Sequence, residues 1–132
     1  MDIIADTNIF LAVSLNEAGR ARIVDLTNEA SIFAPEILPY EIGNALSAMV
    51  KRKKLTKSEA LEAENVTNLI PVRLVGVDTH KSLRIAVDHN MYAYDAYFLQ
   101  CAKAYSFPLL TLDKRMRQVA ERLGIQLMGV TS

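Results

Sequence analysis

The chain has 132 residues, of which 51% are hydrophobic and 23% charged, a composition typical of one globular domain and not of a disordered chain. Fifteen Lys and Arg residues balance fifteen Asp and Glu residues, so no net charge draws nucleic acid to the protein over long distances. One cysteine excludes a disulfide framework. The lack of a signal peptide or of an apolar run near the roughly 20 residues that span a bilayer favours a cytoplasmic protein that binds no membrane.

Short apolar segments alternate with helical patterns along the chain. In chain order, we predict a strand over 3–5, a helix over 8–28 that breaks near Gly19, a strand over 31–34, helices over 37–53 and 56–69, a strand over 72–75, helices over 79–89 and 94–105, a strand over 109–112, a helix over 114–123 and a strand over 125–128. Strands separated by helices favour a parallel sheet with helices on both faces. We therefore expect one α/β domain over residues 1–132, with its ligand site at the carboxyl ends of the strands.

Four carboxylates stand where this fold would place a ligand site. Asp6 and Asp113 directly follow the first and fourth predicted strands, Glu41 lies one turn into the helix over 37–53, and Asp95 begins a strongly apolar helix. Taken alone, each has a structural explanation, because Asp is a favoured helix cap and a first-turn carboxylate complements the helix dipole. Taken together, all four are expected at the carboxyl end of the sheet.

Such a set of carboxylates implies a divalent cation. Carboxylates that face each other repel strongly in a low dielectric, unless some are protonated or a cation lies between them. Oxygen ligands without a cluster of Cys or His favour Mg²⁺ or Mn²⁺ over Zn²⁺. A metal-bound water is a good nucleophile, and the metal neutralises charge that develops on a phosphodiester. The pattern therefore indicates metal-assisted phosphodiester hydrolysis.

Four short segments resemble the acidic motifs of PIN-domain ribonucleases. They are Ala5-Asp6-Thr7-Asn8, Tyr40-Glu41-Ile42-Gly43-Asn44, Tyr94-Asp95-Ala96-Tyr97-Phe98-Leu99 and Leu110-Thr111-Leu112-Asp113. Their order and spacing over essentially the whole chain are similar in particular to those of the VapC toxins of bacterial and archaeal toxin–antitoxin pairs. The resemblance implies a five-stranded sheet of order 3-2-1-4-5 and a Mg²⁺- or Mn²⁺-dependent endoribonuclease that cleaves structured RNA, such as transfer or ribosomal RNA. It also implies a homodimer and a VapB-type antitoxin that covers the acidic pocket.

The resemblance carries over to the acidic residues one by one. We predict that Asp6 and Asp95 bind the metal directly. Glu41 and Asp113 complete the family's pocket, directly or through water, and help to orient the attacking water. No carboxylate of the family pattern is missing.

Polar and basic neighbours of these carboxylates are further candidates. Thr7 and Asn8 match the family's hydroxyl or amide support near the first Asp, where they would hold metal waters or the scissile phosphate. Lys114 and Arg115 directly follow Asp113 and are candidates for contacts with the RNA backbone.

Other chemistries fit the sequence less well. A dehalogenase-type phosphatase needs a second Asp two residues after the first, and that position is Asn8. A phosphoacceptor receiver domain needs an acidic pair at the end of the first strand, which the sequence does not supply. His80 and His89 lie on opposite faces of one predicted helix and form no metal site. Cys101 has no His to activate it and is expected to be a buried small hydrophobe.

Two groups of apolar residues have more than one explanation. Candidates for stacking on bases are Tyr92, Tyr94, Tyr97 and Phe98, although core or dimer packing is the commoner role for most such residues. A second group crowds on one early helix and marks either an interface or packing against the sheet: Phe10, Leu11, Val13 and Leu15.

Two other functions are compatible with the same fold. One is a binding module whose acidic pocket never turns over, and the other is a housekeeping RNA-processing nuclease. The complete set of four carboxylates argues against the first, because an inactive descendant is expected to lose at least one of them. A small neighbouring reading frame for an antitoxin would separate a toxin from the second.

Overall fold

The computed structural model of the protein describes residues 1–129 and contains four strands and seven helices in that range. In chain order they are β1 (Asp2–Ala5), α1 (Thr7–Ser14), α2 (Arg20–Thr27), β2 (Ser31–Pro35), α3 (Leu38–Lys51), α4 (Lys57–Asn68), β3 (Arg73–Val75), α5 (Thr79–Asp88), α6 (Ala93–Tyr105), β4 (Leu109–Leu110) and α7 (Lys114–Arg122). Each predicted helix is present within two residues at either end, and the early helix breaks before Gly19 as predicted.

Local chemistry explains several of these boundaries. The side chain of Thr56 accepts a hydrogen bond from the Glu59 N–H, and the Glu59 side chain accepts one from the Thr56 N–H. This capping box satisfies two backbone donors that a helix leaves unpaired, so α4 begins where it does. Asp78 caps α5 in a similar way, because its carboxylate accepts from the Lys81 N–H at 2.9 Å.

The four strands form one parallel sheet of order β3-β2-β1-β4, as the family resemblance implies for the first four strands. The direction in which the chain adds strands changes at β1: β2 and β3 lie on one side of β1, and β4 lies on the other. Ile4 pairs with Leu109 and Ala5 pairs with Leu110. The residues that follow these pairs, Asp6 and Thr111, therefore leave the sheet side by side at the switch point where α/β folds bind ligands.

The expected fifth strand over 125–128 was wrong for the described part of the chain. Leu127 forms only an isolated parallel bridge with Leu109. Two hydrogen bonds make this bridge, from the Leu109 N–H to the Gln126 carbonyl at 2.8 Å and from the Met128 N–H to the Leu109 carbonyl at 3.0 Å. The reason lies in β4, which ends after two residues because Thr111 turns away to begin the cap of α7. A neighbouring strand has no longer ladder to extend.

The core lies on both faces of the sheet. Ile3, Ile4 and Leu109 are fully buried, as expected for central parallel strands that helices cover on two sides. Phe10 and Leu11 on α1 are also buried at 2% exposure, so these two residues of the early apolar helix pack in the core. In the described range, no helix is both long and apolar enough to cross a lipid bilayer.

Candidate active site

The carboxyl ends of β1 and β4 bring two of the predicted carboxylates together through one threonine. The Thr111 hydroxyl donates a hydrogen bond to Asp6 Oδ2, and its oxygen accepts the Asp113 backbone N–H at 3.0 Å. Asp6 Oδ1 accepts the Ile9 N–H at 3.2 Å and so caps α1. Asp113 Oδ1 accepts the Met116 N–H and caps α7, so both helix caps predicted as the structural explanation are present. Thr111 also links the two capping residues.

Asp6 lies in an environment that disfavours its charge. It is only 3% exposed, and this burial raises the pKa of its carboxyl group to about 7, against an ordinary value of 3.8. The hydrogen bonds from Thr111 and Ile9 oppose that rise, while the negative charges of Asp113 and Asp95 add to it. Asp6 is thus poised to lose its proton near neutral pH or when a cation approaches.

Glu41 and Asp95 come from the first turns of α3 and α6 and are both half-buried. Burial raises the pKa of each carboxyl group, and the charge of Asp95 raises the pKa of Glu41 further. The Thr7 hydroxyl donates a hydrogen bond of 2.5 Å to Glu41 Oε2, which favours the charged form of Glu41. Thr7, predicted as a supporting residue, therefore orients a carboxylate directly.

All four predicted carboxylates belong to one electrostatic group. Asp95 raises the pKa of both Asp6 and Glu41, and Asp113 raises the pKa of both Asp6 and Asp95. Such mutual repulsion between like charges on four different elements costs free energy in the folded protein unless protons or a cation offset it. The structure therefore places the four acidic residues close enough for linked electrostatic interactions, with Glu41 joined to the others through Asp95.

The four carboxylates do not share one cavity wall. A pocket of about 260 Å³ lies between α1, α3 and α6, and Glu41, Asp95, Thr7 and Asn8 line it. Asp6 and Asp113 are not among its lining residues, and Asp6 lies almost closed to solvent beneath the surface. The remaining lining residues include Tyr40, Asn44 and Tyr94.

The donor set matches a hard divalent cation, because it consists of carboxylate, hydroxyl and amide oxygens. Among residues 1–129, no group of three or more His, Cys, Asp or Glu side chains is arranged so that it could hold a metal ion. Mg²⁺ is commonly bound through one or two carboxylates, waters and substrate phosphates, and Asp95 on the pocket wall together with Asp6 beneath it would satisfy that requirement. The residues present therefore fit a magnesium-type ion that binds with few protein ligands.

The two basic candidates lie outside this pocket. Lys114 is exposed at the start of α7. The Arg115 guanidinium donates a hydrogen bond of 2.6 Å to the His89 carbonyl at the end of α5, so it joins two helices. Cys101 is fully buried, and burial raises the pKa of its thiol to about 11, which suits a packing role and not a nucleophile.

Sequence reasoning missed Thr111 as a site residue. Its position directly after a strand and two residues before Asp113 was the available signal, since a hydroxyl there can bond to the backbone two residues on. The aromatic candidates divide in the structure, because Phe98 is buried and Tyr97 half-buried, whereas Tyr94 is 54% exposed and lines the pocket.

Comparison with known proteins agrees with this arrangement. The model of the PIN domain matches residues 3–122 of the chain. The chain belongs to the PIN domain family. PIN domains are generally nucleases that use divalent metal ions. No curated protein sequence is significantly similar to this PIN domain.

Two solved structures share the fold of this PIN domain. The crystal structure of PAE2754 from Pyrobaculum aerophilum is 18% identical, with a TM-score of 0.65 over 94% of this chain and 90% of that one. The structure of VapBC2 from Rickettsia felis, bound to a DNA fragment from their promoter, is 14% identical, with a TM-score of 0.68 over 97% of this chain and 98% of that one.

Proposed function

We propose that this PIN domain is a Mg²⁺- or Mn²⁺-dependent endoribonuclease, a VapC-type toxin that hydrolyses phosphodiester bonds of structured RNA in the cytoplasm. The observation that supports it most is that carboxylates from four separate elements repel one another in linked pairs. Asp6 interacts with Asp95 and Asp113, Asp95 also interacts with Asp113, and Glu41 interacts with Asp95. A group that only capped helices would have no reason to bring its charges together. A cation offsets the repulsion and, when bound, supplies an acidic water and neutralises charge on the phosphate.

The chain's own residues divide the work. Asp6 and Asp95 are proposed as direct ligands, and the buried Asp6 acts once it has lost its proton. Glu41 is held by the Thr7 hydroxyl and orients water at the pocket wall, while Asn8 offers its exposed amide to waters or the scissile phosphate.

Asp113 has a different place from the other carboxylates. Its Oδ1 accepts the Met116 N–H at 3.0 Å and caps α7, so one carboxylate oxygen is occupied. We propose that it completes the site through its negative charge and through water. Lys114 is proposed as a contact with the RNA backbone, whereas the bond from Arg115 to His89 favours a structural role for Arg115.

The proposed partners are RNA, a second copy of the chain and a cognate VapB-type antitoxin. The likeness of fold to VapBC2, a complex bound to promoter DNA, supports the antitoxin. An antitoxin arginine can form a bidentate bond with a carboxylate and so take the place of the cation. A higher Mg²⁺ concentration should then weaken inhibition by the antitoxin. Inhibition that does not change with the Mg²⁺ concentration would indicate that the antitoxin blocks access of the RNA instead.

The direct test is cleavage of total RNA by purified protein with Mg²⁺ or Mn²⁺, followed by sequencing of the new RNA ends. We expect discrete cuts that disappear in excess chelator and in the Asp95→Asn variant. Chelator-resistant cleavage, or equal cleavage by the wild type and Asp95→Asn, would overturn the proposal.

A further inference from the structure

Two tyrosines stand exposed at the wall of the acidic pocket. Tyr40 is 74% exposed and Tyr94 is 54% exposed, and both line the pocket together with Glu41 and Asp95. Each tyrosine directly precedes one of those carboxylates in the sequence, and the shared pocket wall places both tyrosines beside the proposed cleavage site. The exposed parts of these rings do not pack in the core, and they lie next to the proposed catalytic carboxylates.

The backbone under both rings is helical. Tyr40 belongs to the first turn of α3, where Pro39 fixes the entry of the chain, and Tyr94 belongs to the first turn of α6. The Tyr94 ring also meets the half-buried Tyr97 ring edge-on, with 6.3 Å between centroids and an angle of 73°. A ring held in this way loses little conformational freedom when a flat ligand binds.

The negative charge of the pocket means that contacts with the phosphate backbone alone cannot hold RNA there. Among the nine described residues that line it, two are carboxylates and none is lysine or arginine. Most proteins attract the phosphate backbone of nucleic acids through Lys and Arg, and this wall repels it. Affinity near the cut must therefore come from the cation and from contacts with the bases, and aromatic rings stack on any base.

We propose that Tyr40 and Tyr94 stack on unpaired bases that flank the scissile phosphate. The proposal rests on the proposed ribonuclease function and adds the two side chains that hold the bases beside the cut. Bases inside a helix are stacked on each other and cannot offer their faces, so stacking on these two rings requires unpaired bases. The exposed amides of Asn8 and Asn44 on the same wall can bond to base edges.

The protein side is tested with single substitutions. Tyr40→Leu and Tyr94→Leu keep an apolar side chain but remove the ring, and each should lower kcat/KM for RNA by about 5- to 100-fold. Tyr40→Phe and Tyr94→Phe keep the ring and should stay within about two-fold of the wild type. Tyr105→Leu is the control, because Tyr105 lies at the far end of α6 against Phe107. This substitution should leave cleavage unchanged.

The RNA side makes the test specific for stacking. In a short RNA that contains the mapped cut, an abasic ribose replaces the base on either side of the scissile phosphate. The abasic RNA should lose as much kcat/KM with the wild type as Tyr40→Leu or Tyr94→Leu loses with intact RNA. Combining the two changes should add little, since both remove one contact. The slope of binding against salt should stay the same, because tyrosine neutralises no phosphate.

The outcomes separate the two proposals. If the wild type cleaves no RNA with Mg²⁺ or Mn²⁺, the ribonuclease function fails and the stacking role fails with it. If the wild type cleaves RNA but the leucine variants cleave as well as it does, only the stacking role is overturned. The stacking role is also overturned if the losses in kcat/KM from a leucine variant and from abasic RNA are additive. If leucine variants cleave RNA normally but no longer bind the antitoxin, the tyrosines contact the antitoxin and do not stack on bases. Matching melting temperatures of the variants exclude a general folding defect.

Discussion

The Thr111 hydroxyl donates a hydrogen bond to the carboxylate of Asp6, 105 positions earlier in the chain, and the oxygen of the same hydroxyl accepts the backbone N–H of Asp113. One small side chain therefore links two carboxylates that follow adjacent strands. Thr111 is itself only 3% exposed. If its hydroxyl is removed, water therefore does not take over its hydrogen bonds with Asp6 and Asp113.

Thr111→Val should lower both stability and activity at neutral pH. The valine leaves the Asp113 N–H without its acceptor and Asp6 without a donor, at a cost of about 1–3 kcal/mol in the free energy of unfolding. The hydrogen bond from Thr111 lowers the pKa of Asp6, so its loss raises that pKa further. The pH–rate profile should move to higher pH, and Thr111→Ser should restore it. Identical profiles for the valine and serine variants would rule out this role.

Asp6→Asn should abolish activity and keep the fold. The amide has nearly the volume of the carboxylate, and its oxygen can still accept the Ile9 N–H that caps α1. Loss of a charged ligand should reduce cleavage by orders of magnitude. Circular dichroism and thermal melting provide the check on folding. A variant that unfolds in proportion to its loss of activity would show that Asp6 is only a structural cap.

The metal-free protein should become less stable as the pH rises towards 7. The folded-state pKa of Asp6 is raised from 3.8 to about 7, so the folded protein binds this proton more tightly than the unfolded chain does. The stabilisation is complete below about pH 3.8 and is lost as the pH rises through the folded-state pKa. At 1.36 kcal/mol per pKa unit, the loss is at most about 4 kcal/mol.

Urea unfolding in chelator measures this effect, with Asp6→Asn as the matched variant. The difference in unfolding free energy between the two proteins should change over that pH range and become constant above it. A difference that does not vary with pH would contradict the raised pKa of Asp6.

Mg²⁺ or Mn²⁺ should raise the melting temperature at pH 7.5. A ligand that binds only the folded protein stabilises it by about 2.7 kcal/mol at 100 times its dissociation constant, which corresponds to several degrees for a domain of this size. Asp95→Asn should reduce the increase, because Asp95 raises the pKa of both Asp6 and Glu41 and so belongs to the centre of the acidic group. Equal increases in both proteins would place the cation elsewhere.

Lys114→Ala should affect RNA binding, whereas Arg115→Ala should affect the stability of the fold. Lys114 is exposed, so its removal should weaken RNA binding and reduce the slope of log K against log salt by about one. Arg115 is bonded to the His89 carbonyl, so its removal should lower the melting temperature and leave the salt slope unchanged. Equal salt slopes for Lys114→Ala and the wild type would remove Lys114 from the RNA contacts.

The sequence by itself determined the helices, the first four strands as separate segments and the identity of the four carboxylates, whereas the order of the strands was implied only by the family resemblance. These features depend on local chemistry: helical periodicity, the capping box at Thr56 and Glu59, and an Asp directly after each of two strands. Local signals of this kind act over a few residues, so they can be read without knowing what packs against them.

Only the tertiary structure decided the rest. The fifth strand failed because pairing needs a partner ladder, and β4 is two residues long. The division of the acidic group, with Glu41 and Asp95 on the pocket wall and Asp6 beneath it, follows from the packing of α3 against α1 and of α6 against β1 and β2. Burial and repulsion between residues far apart in the chain then set the raised pKa of Asp6, because both depend on distances in space and not on spacing in the sequence.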